Sequence, residues 1–70
     1  MNKAVRKYIL NGRVTDKHAF KSVLKKALEV SPIIPEANTE DNYVAALNML
    51  VDKKYTLIVS NQQFQVEEPK

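Results

Sequence analysis

From Asp16 to Val30 the apolar residues Phe20, Val23, Leu24, Ala27 and Leu28 recur at offsets 0, 3, 4, 7 and 8. That spacing lines one face of an α-helix. Thr15 and Asp16 are both good N-cap residues for it. Ser31-Pro32 ends it, because the residue before a proline avoids the α region. His18, Ser22, Lys25 and Glu29 lie on its opposite face, and Lys17, Lys21 and Lys25 form a row along one flank.

A second helical pattern begins after Asn38 or Thr39, either of which caps it. Glu40 and Asp41 stand at its positive end, where anions are favoured. Tyr43, Ala46, Leu47 and Leu50 make its predicted buried stripe, with Val44 and Val51 at one edge. Asp41, Ala45, Asn48 and Asp52 project the other way, and Lys53-Lys54 close the helix. Between the helices, Pro32-Ile33-Ile34-Pro35 predicts an extended linker that docks Ile33 and Ile34 on the core.

Strand signals flank the helices. Val5 to Leu10 is rich in β-branched and aromatic residues and predicts a strand. Asn11-Gly12 then marks a turn, since both residues accept positive φ. Arg13-Val14-Thr15 reads either as the return strand of a hairpin or as a short connection. Tyr55 to Val59 is a nearly continuous apolar run, which predicts a strand covered on both faces at the centre of a sheet. Ser60 to Gln63 reads as a polar turn, Phe64 to Val66 as a short edge strand and Glu67 to Lys70 as a fraying tail.

The fold class that results is α+β. It is a small two-layer sandwich of two helices on a two- to four-stranded sheet, in the order β-α-α-β, with room for extra edge strands. Residues 1–66 make one small domain and 67–70 a flexible C-terminal tail. The expected core is Tyr8, Ile9, Phe20, Val23, Leu24, Leu28, Leu47, Leu50, Leu57, Ile58 and Val59.

Composition narrows what such a chain does. It has 70 residues, 44% of them apolar, which is too many for a disordered chain. No apolar run approaches the roughly 18 residues of a membrane span, and no signal-peptide core follows Met1. There is no Cys, one His and one Gly. Disulfides, thiolate metal sites and Cys nucleophiles are therefore out, and the expectation is a cytoplasmic chain of the bacterial or phage kind.

Charge is unevenly placed. Residues 1–30 hold Lys3, Arg6, Lys7, Arg13, Lys17, Lys21, Lys25 and Lys26 against Asp16 and Glu29, which leaves +6. Residues 31–70 hold Lys53, Lys54 and Lys70 against Glu36, Glu40, Asp41, Asp52, Glu67 and Glu68, which leaves −3. One half suits an acidic partner and the other a basic one.

Catalytic material is thin. His18 has no acid or nucleophile at a recognised spacing, and neither Ser22 nor Ser60 sits in a nucleophile-elbow context. Asp41 and Asp52 are three helical turns apart, too far to share one reacting bond. Glu67-Glu68 lie in the predicted tail, which does not hold reacting geometry. The sequence predicts no enzyme, no cofactor and no metal.

Ile9-Leu10-Asn11-Gly12, Leu24-Lys25-Lys26-Ala27-Leu28 and Asp41-Asn42-Tyr43-Val44-Ala45-Ala46-Leu47-Asn48-Met49-Leu50 together resemble the barstar family of ribonuclease inhibitors. Thr56-Leu57-Ile58-Val59 through Gln63-Phe64 follow that family's second strand. The resemblance implies a parallel three-stranded sheet flanked by helices, incomplete or differently built here, because the matching pieces stop before the family's last helix and third strand. It also implies that acidic side chains of the second helix, with an aromatic before it, enter the active site of a basic ribonuclease. By ungapped matching the acidic positions fall on Val44 and Asn48 and the aromatic on Asn38. None keeps that chemistry, and surplus lysine repels a cationic ribonuclease. What the resemblance supports is a related scaffold, not inhibition of the same enzyme.

The leading expectation is a domain that binds another protein, as an inhibitor or adaptor, through Asn38, Asp41, Val44, Ala45, Asn48 and Asp52. The alternative is nucleic-acid binding through Arg13, Lys17, Lys21 and Lys25, which would contact successive phosphates. Self-association is a third. No base-reading or stacking residues accompany the lysines.

Overall fold

Two tight hairpins bracket a pair of helices in the computed structural model, which describes residues 6–68. Lys7–Leu10 (β1) runs into Asn11 and Gly12, whose φ values of 52° and 84° both lie in the left-handed region. Two such residues in a two-residue loop match the twist of the strands they join. Arg13–Thr15 (β2) returns antiparallel, with Leu10 opposite Arg13 and Ile9 opposite Val14. Asn11-Gly12 is therefore a hairpin tip. Val5 lies outside the described residues.

Helix α1 covers Lys17–Val30. Asp16 is its cap, with Oδ1 accepting from the Ala19 N–H at 2.7 Å, while Thr15 belongs to β2. At the other end the Ser31 N–H donates to the Ala27 carbonyl at 2.9 Å. Helix α2 covers Thr39–Val51 and is capped by Asn38, whose Oδ1 accepts from the Asp41 N–H at 2.7 Å. Beyond α2, Lys54 takes a φ of 58° and the Tyr55 N–H donates back to the Met49 carbonyl at 3.1 Å. That reversal delivers the chain to Leu57–Val59 (β3), the turn Ser60-Asn61 and Gln62–Glu67 (β4).

The sheet is antiparallel throughout, in the order β2-β1-β4-β3. It has four strands, where the barstar resemblance implies three parallel ones. Both helices contribute to one core, and the strand residues that meet it are Tyr8, Leu10, Leu57, Val59, Phe64 and Val66. Strand side chains alternate between faces, so the intervening positions point away from that core. Ile9, opposite Val14 and Gln65, and Ile58, opposite Gln63, occupy the far face.

Several expectations are corrected by this arrangement. Tyr55 to Val59 is not a doubly covered central strand. Its regular part is the three-residue edge strand β3, with Ile58 71% exposed and Tyr55 55% exposed. The inner strands are instead β1 and β4, the latter running through the residues expected to form a polar turn and a short edge. The Gln-Phe-Gln-Val alternation of β4 is that of a strand with one covered face. Ile9 and Ile58 leave the expected core for the same reason. Ile33 packs on the core, but Ile34 is 36% exposed and is held through its backbone. β4 also continues through Glu67, opposite Lys7, and Glu68 pairs with Arg6 at 2.6 Å. Pro69 and Lys70 lie outside the described residues.

Phe20, Leu24, Ala27 and Leu28 from α1 meet Tyr43, Ala46 and Leu50 from α2 over Val59, Phe64 and Val66. Phe20 is the centre of an aromatic row, 5.2 Å from the Tyr8 ring and edge-on to Phe64 at 5.5 Å. Each large apolar side chain removed from water contributes about 1.5–3 kcal/mol.

Candidate protein-binding surface

The loop before α2 has part-buried backbone polar groups that no helix or strand ladder pairs. Asn42 supplies their partners. Its side chain is buried, with Oδ1 accepting from the Ile34 N–H at 2.7 Å. Its Nδ2 reaches the carbonyls of Ile34 at 3.0 Å, Asn38 at 3.0 Å and Ala37 at 3.2 Å. The Ala37 N–H also donates to the Ile34 carbonyl at 3.0 Å. One side chain on the first turn of α2 thus ties the loop to the helix.

Asn42 was not singled out among the expected site residues. A signal for it exists: it precedes Ala46 and Leu50 by four and eight positions, so it shares their buried side of the helix.

The outward stripe of α2 holds Asp41, Val44, Ala45, Asn48 and, just past its end, Asp52. Helical rotation of about 100° per residue gathers these five within roughly a third of the circumference. Asp41, Asn48 and Asp52 are exposed, Val44 is 50% exposed, and Ala45 is half-buried. Asn38 is exposed beside them, but its Oδ1 is committed to capping. Among the described residues neither Asp41 nor Asp52 forms an ion pair. The surface is small-featured and acidic.

The lysine row of α1 is not a free line of charge. Lys25 Nζ lies 2.7 Å from Glu40 Oε1, and the Nζ atoms of Lys21 and Lys25 both stand 5.4 Å from the centre of the Tyr43 ring. Such ammonium–ring contacts are attractive through the ring quadrupole. Hydrogen bonding from Lys25, then its charge, holds the Glu40 carboxyl below its ordinary range. Burial pushes the Tyr43 phenol up, helped by the nearby Tyr8 and Glu40. Two of the three lysines therefore join α1 to α2, while Lys17 and Arg13 stay exposed on different elements. Sequence spacing identified the row but not what stands across from it.

The remaining chemical candidates are scattered. His18 and Ser22 face solvent on α1, Ser60 forms a hairpin turn, and Glu67 and Glu68 oppose Lys7 and Arg6. Among the described residues no group of three or more His, Asp or Glu could hold a metal ion, and no helix is long and apolar enough to cross a membrane. Compared with protein-family models, with curated proteins and with solved structures, the chain matches none.

Proposed function

We propose that this chain is a non-catalytic protein-binding domain, an inhibitor or adaptor that presents α2 and the loop before it to a basic protein surface. The observation that carries the reading is Asn42, whose four contacts make residues 34–38 and the first turn of α2 one body. A surface ordered before contact loses less conformational entropy on binding. The stripe it supports has short side chains at Ala45 and Asn48, so another backbone can approach closely. Asp41 and Asp52 form no ion pair among the described residues, which leaves them open to a partner. Opposite charge across an interface speeds encounter and sets orientation. The nucleic-acid alternative has less support, since Lys21 and Lys25 are turned to Tyr43 and Glu40.

A photo-crosslinking residue at Val44, with Ser22 on α1 as the control position, tests the proposal in host lysate. A protein captured from Val44 and not from Ser22 supports it. Equal capture from both positions removes α2 as the contact surface.

A further inference from the structure

We infer that β3 is a self-pairing edge, which joins two copies of this chain through antiparallel β3–β3 contact about Ile58. The backbone geometry comes first. The turn Ser60-Asn61 closes on Val59 opposite Gln62, so the next pair inward is Ile58 opposite Gln63. In a two-residue hairpin the closing pair is hydrogen-bonded and the next is not. Gln63 agrees: its carbonyl accepts from the Asn11 N–H at 2.8 Å and its N–H donates to Asn11 Oδ1 at 2.8 Å, both on the β1 side. The N–H and C=O of Ile58 therefore point outward across the free edge of the sheet. Ile58 is 71% exposed.

Proteins normally guard such edges with charge, proline or a bulge. From Tyr55 to Val66 the chain has no charged residue and no proline. The opposite edge differs. In β2 the equivalent residue is Val14, 66% exposed, but Arg13 precedes it and Asp16 and Lys17 follow Thr15.

A second copy fits the β3 edge by charge and by symmetry. A two-fold axis through Ile58 sets Ile58 against Ile58 of the second copy, Leu57 against its Val59, and Thr56 against its Ser60. The Ile58 pair exchanges both backbone hydrogen bonds, and no charge meets a like charge although each chain carries +3. Such a contact is isologous and closes at two. Two exposed isoleucines cover one another on the solvent face, and Leu57 and Val59 extend the row beneath the helices. The contact is separate from the outward stripe of α2. Pairing along so few residues falls below the roughly 1,200–2,000 Å² of a stable interface, so the dimer is weak and depends on concentration.

Sedimentation of the full chain from micromolar to millimolar concentration tests this, with hydrogen exchange at the Ile58 amide read in parallel. The mass is expected to rise from 8.0 kDa to twice that, while the Ile58 amide becomes protected. Ile58→Lys keeps the chain monomeric and Val14→Lys leaves the dimer intact. Ile58→Cys, which creates a single thiol in this Cys-free chain, is linked to itself by a short bis-maleimide. A monomer at every concentration with a freely exchanging Ile58 amide overturns the inference. So does a dimer indifferent to Ile58→Lys. Growth past two copies that Val14→Lys abolishes means head-to-tail pairing of β2 with β3, and overturns it as well.

Discussion

Asn11 uses its backbone and its side chain to hold Gln63. Its N–H donates to the Gln63 carbonyl at 2.8 Å and its Oδ1 accepts from the Gln63 N–H at 2.8 Å. The Asn11 Nδ2 also donates to Gln62 Oε1 at 3.1 Å. The tip of the first hairpin thereby continues the β1–β4 ladder one residue past the end of β1. Asn11→Gly keeps the left-handed turn but loses the side-chain bonds, and is expected to cost about 1–3 kcal/mol. Asn11→Asp keeps the acceptor for Gln63 and is expected to cost less. Urea denaturation of the two variants ranks them.

Asn42→Ala tests the loop anchor. It strands the Ile34 N–H and leaves carbonyls of the loop short of a donor. Buried groups left unpaired cost about 1–3 kcal/mol each, so a loss of about 2–4 kcal/mol is expected. Residues 32–38 also become open to protease while α1 stays protected. An unchanged melting temperature would mean that the loop does not depend on Asn42.

Backbone handedness predicts two changes of opposite sign. Lys54 has a φ of 58°, a conformation that costs a side-chain-bearing residue about 1–2 kcal/mol, so Lys54→Gly is expected to raise the melting temperature. Gly12 has a φ of 84°, and a Cβ there would touch nothing within 4 Å. Gly12→Ala is therefore expected to destabilise through its backbone angle alone, by about 1–2 kcal/mol.

Acid and base act through different residues. The Glu40 carboxyl is held below its ordinary value of 4.5, so the folded state binds its proton less readily than the unfolded chain does. Its contribution is present above pH 4.5 and is lost as pH falls through the depressed value. The Tyr43 phenol is raised above 10.0, so its contribution is complete below pH 10.0 and fades as pH rises through the raised value. Melting curves of Glu40→Gln are expected to lose acid-side slope and keep the alkaline decline. Those of Tyr43→Phe are expected to do the reverse.

Local patterns in the sequence disclose the helices well. The 3–4 spacing of Phe20, Val23, Leu24, Ala27 and Leu28, together with the caps at Asp16 and Asn38, needs no tertiary information. Sheet position is a different kind of fact. Leu57-Ile58-Val59 is apolar enough for a centre, yet both helices lie on one face and it is β4, not β3, that pairs with β1. Nothing local to Gln62–Val66 says that this polar-looking run pairs on both sides. The acidic stripe of α2 was visible from helical rotation alone. Its support was not, because Asn42 acts on residues 34–38 through contacts that only folding creates, and the engagement of Lys21 and Lys25 depends on how α1 lies against Tyr43.

The proposed contact surface is α2. Its most direct test is the dissociation constant of the protein captured from Val44, measured against the wild type, Ala45→Arg, Asn48→Arg and a Ser22→Arg control, all with matched melting temperatures. Ala45→Arg and Asn48→Arg are predicted to bind at least about tenfold more weakly, a change of about 1.4 kcal/mol, while Ser22→Arg binds as the wild type does. Equal affinity across all four proteins would contradict the assignment.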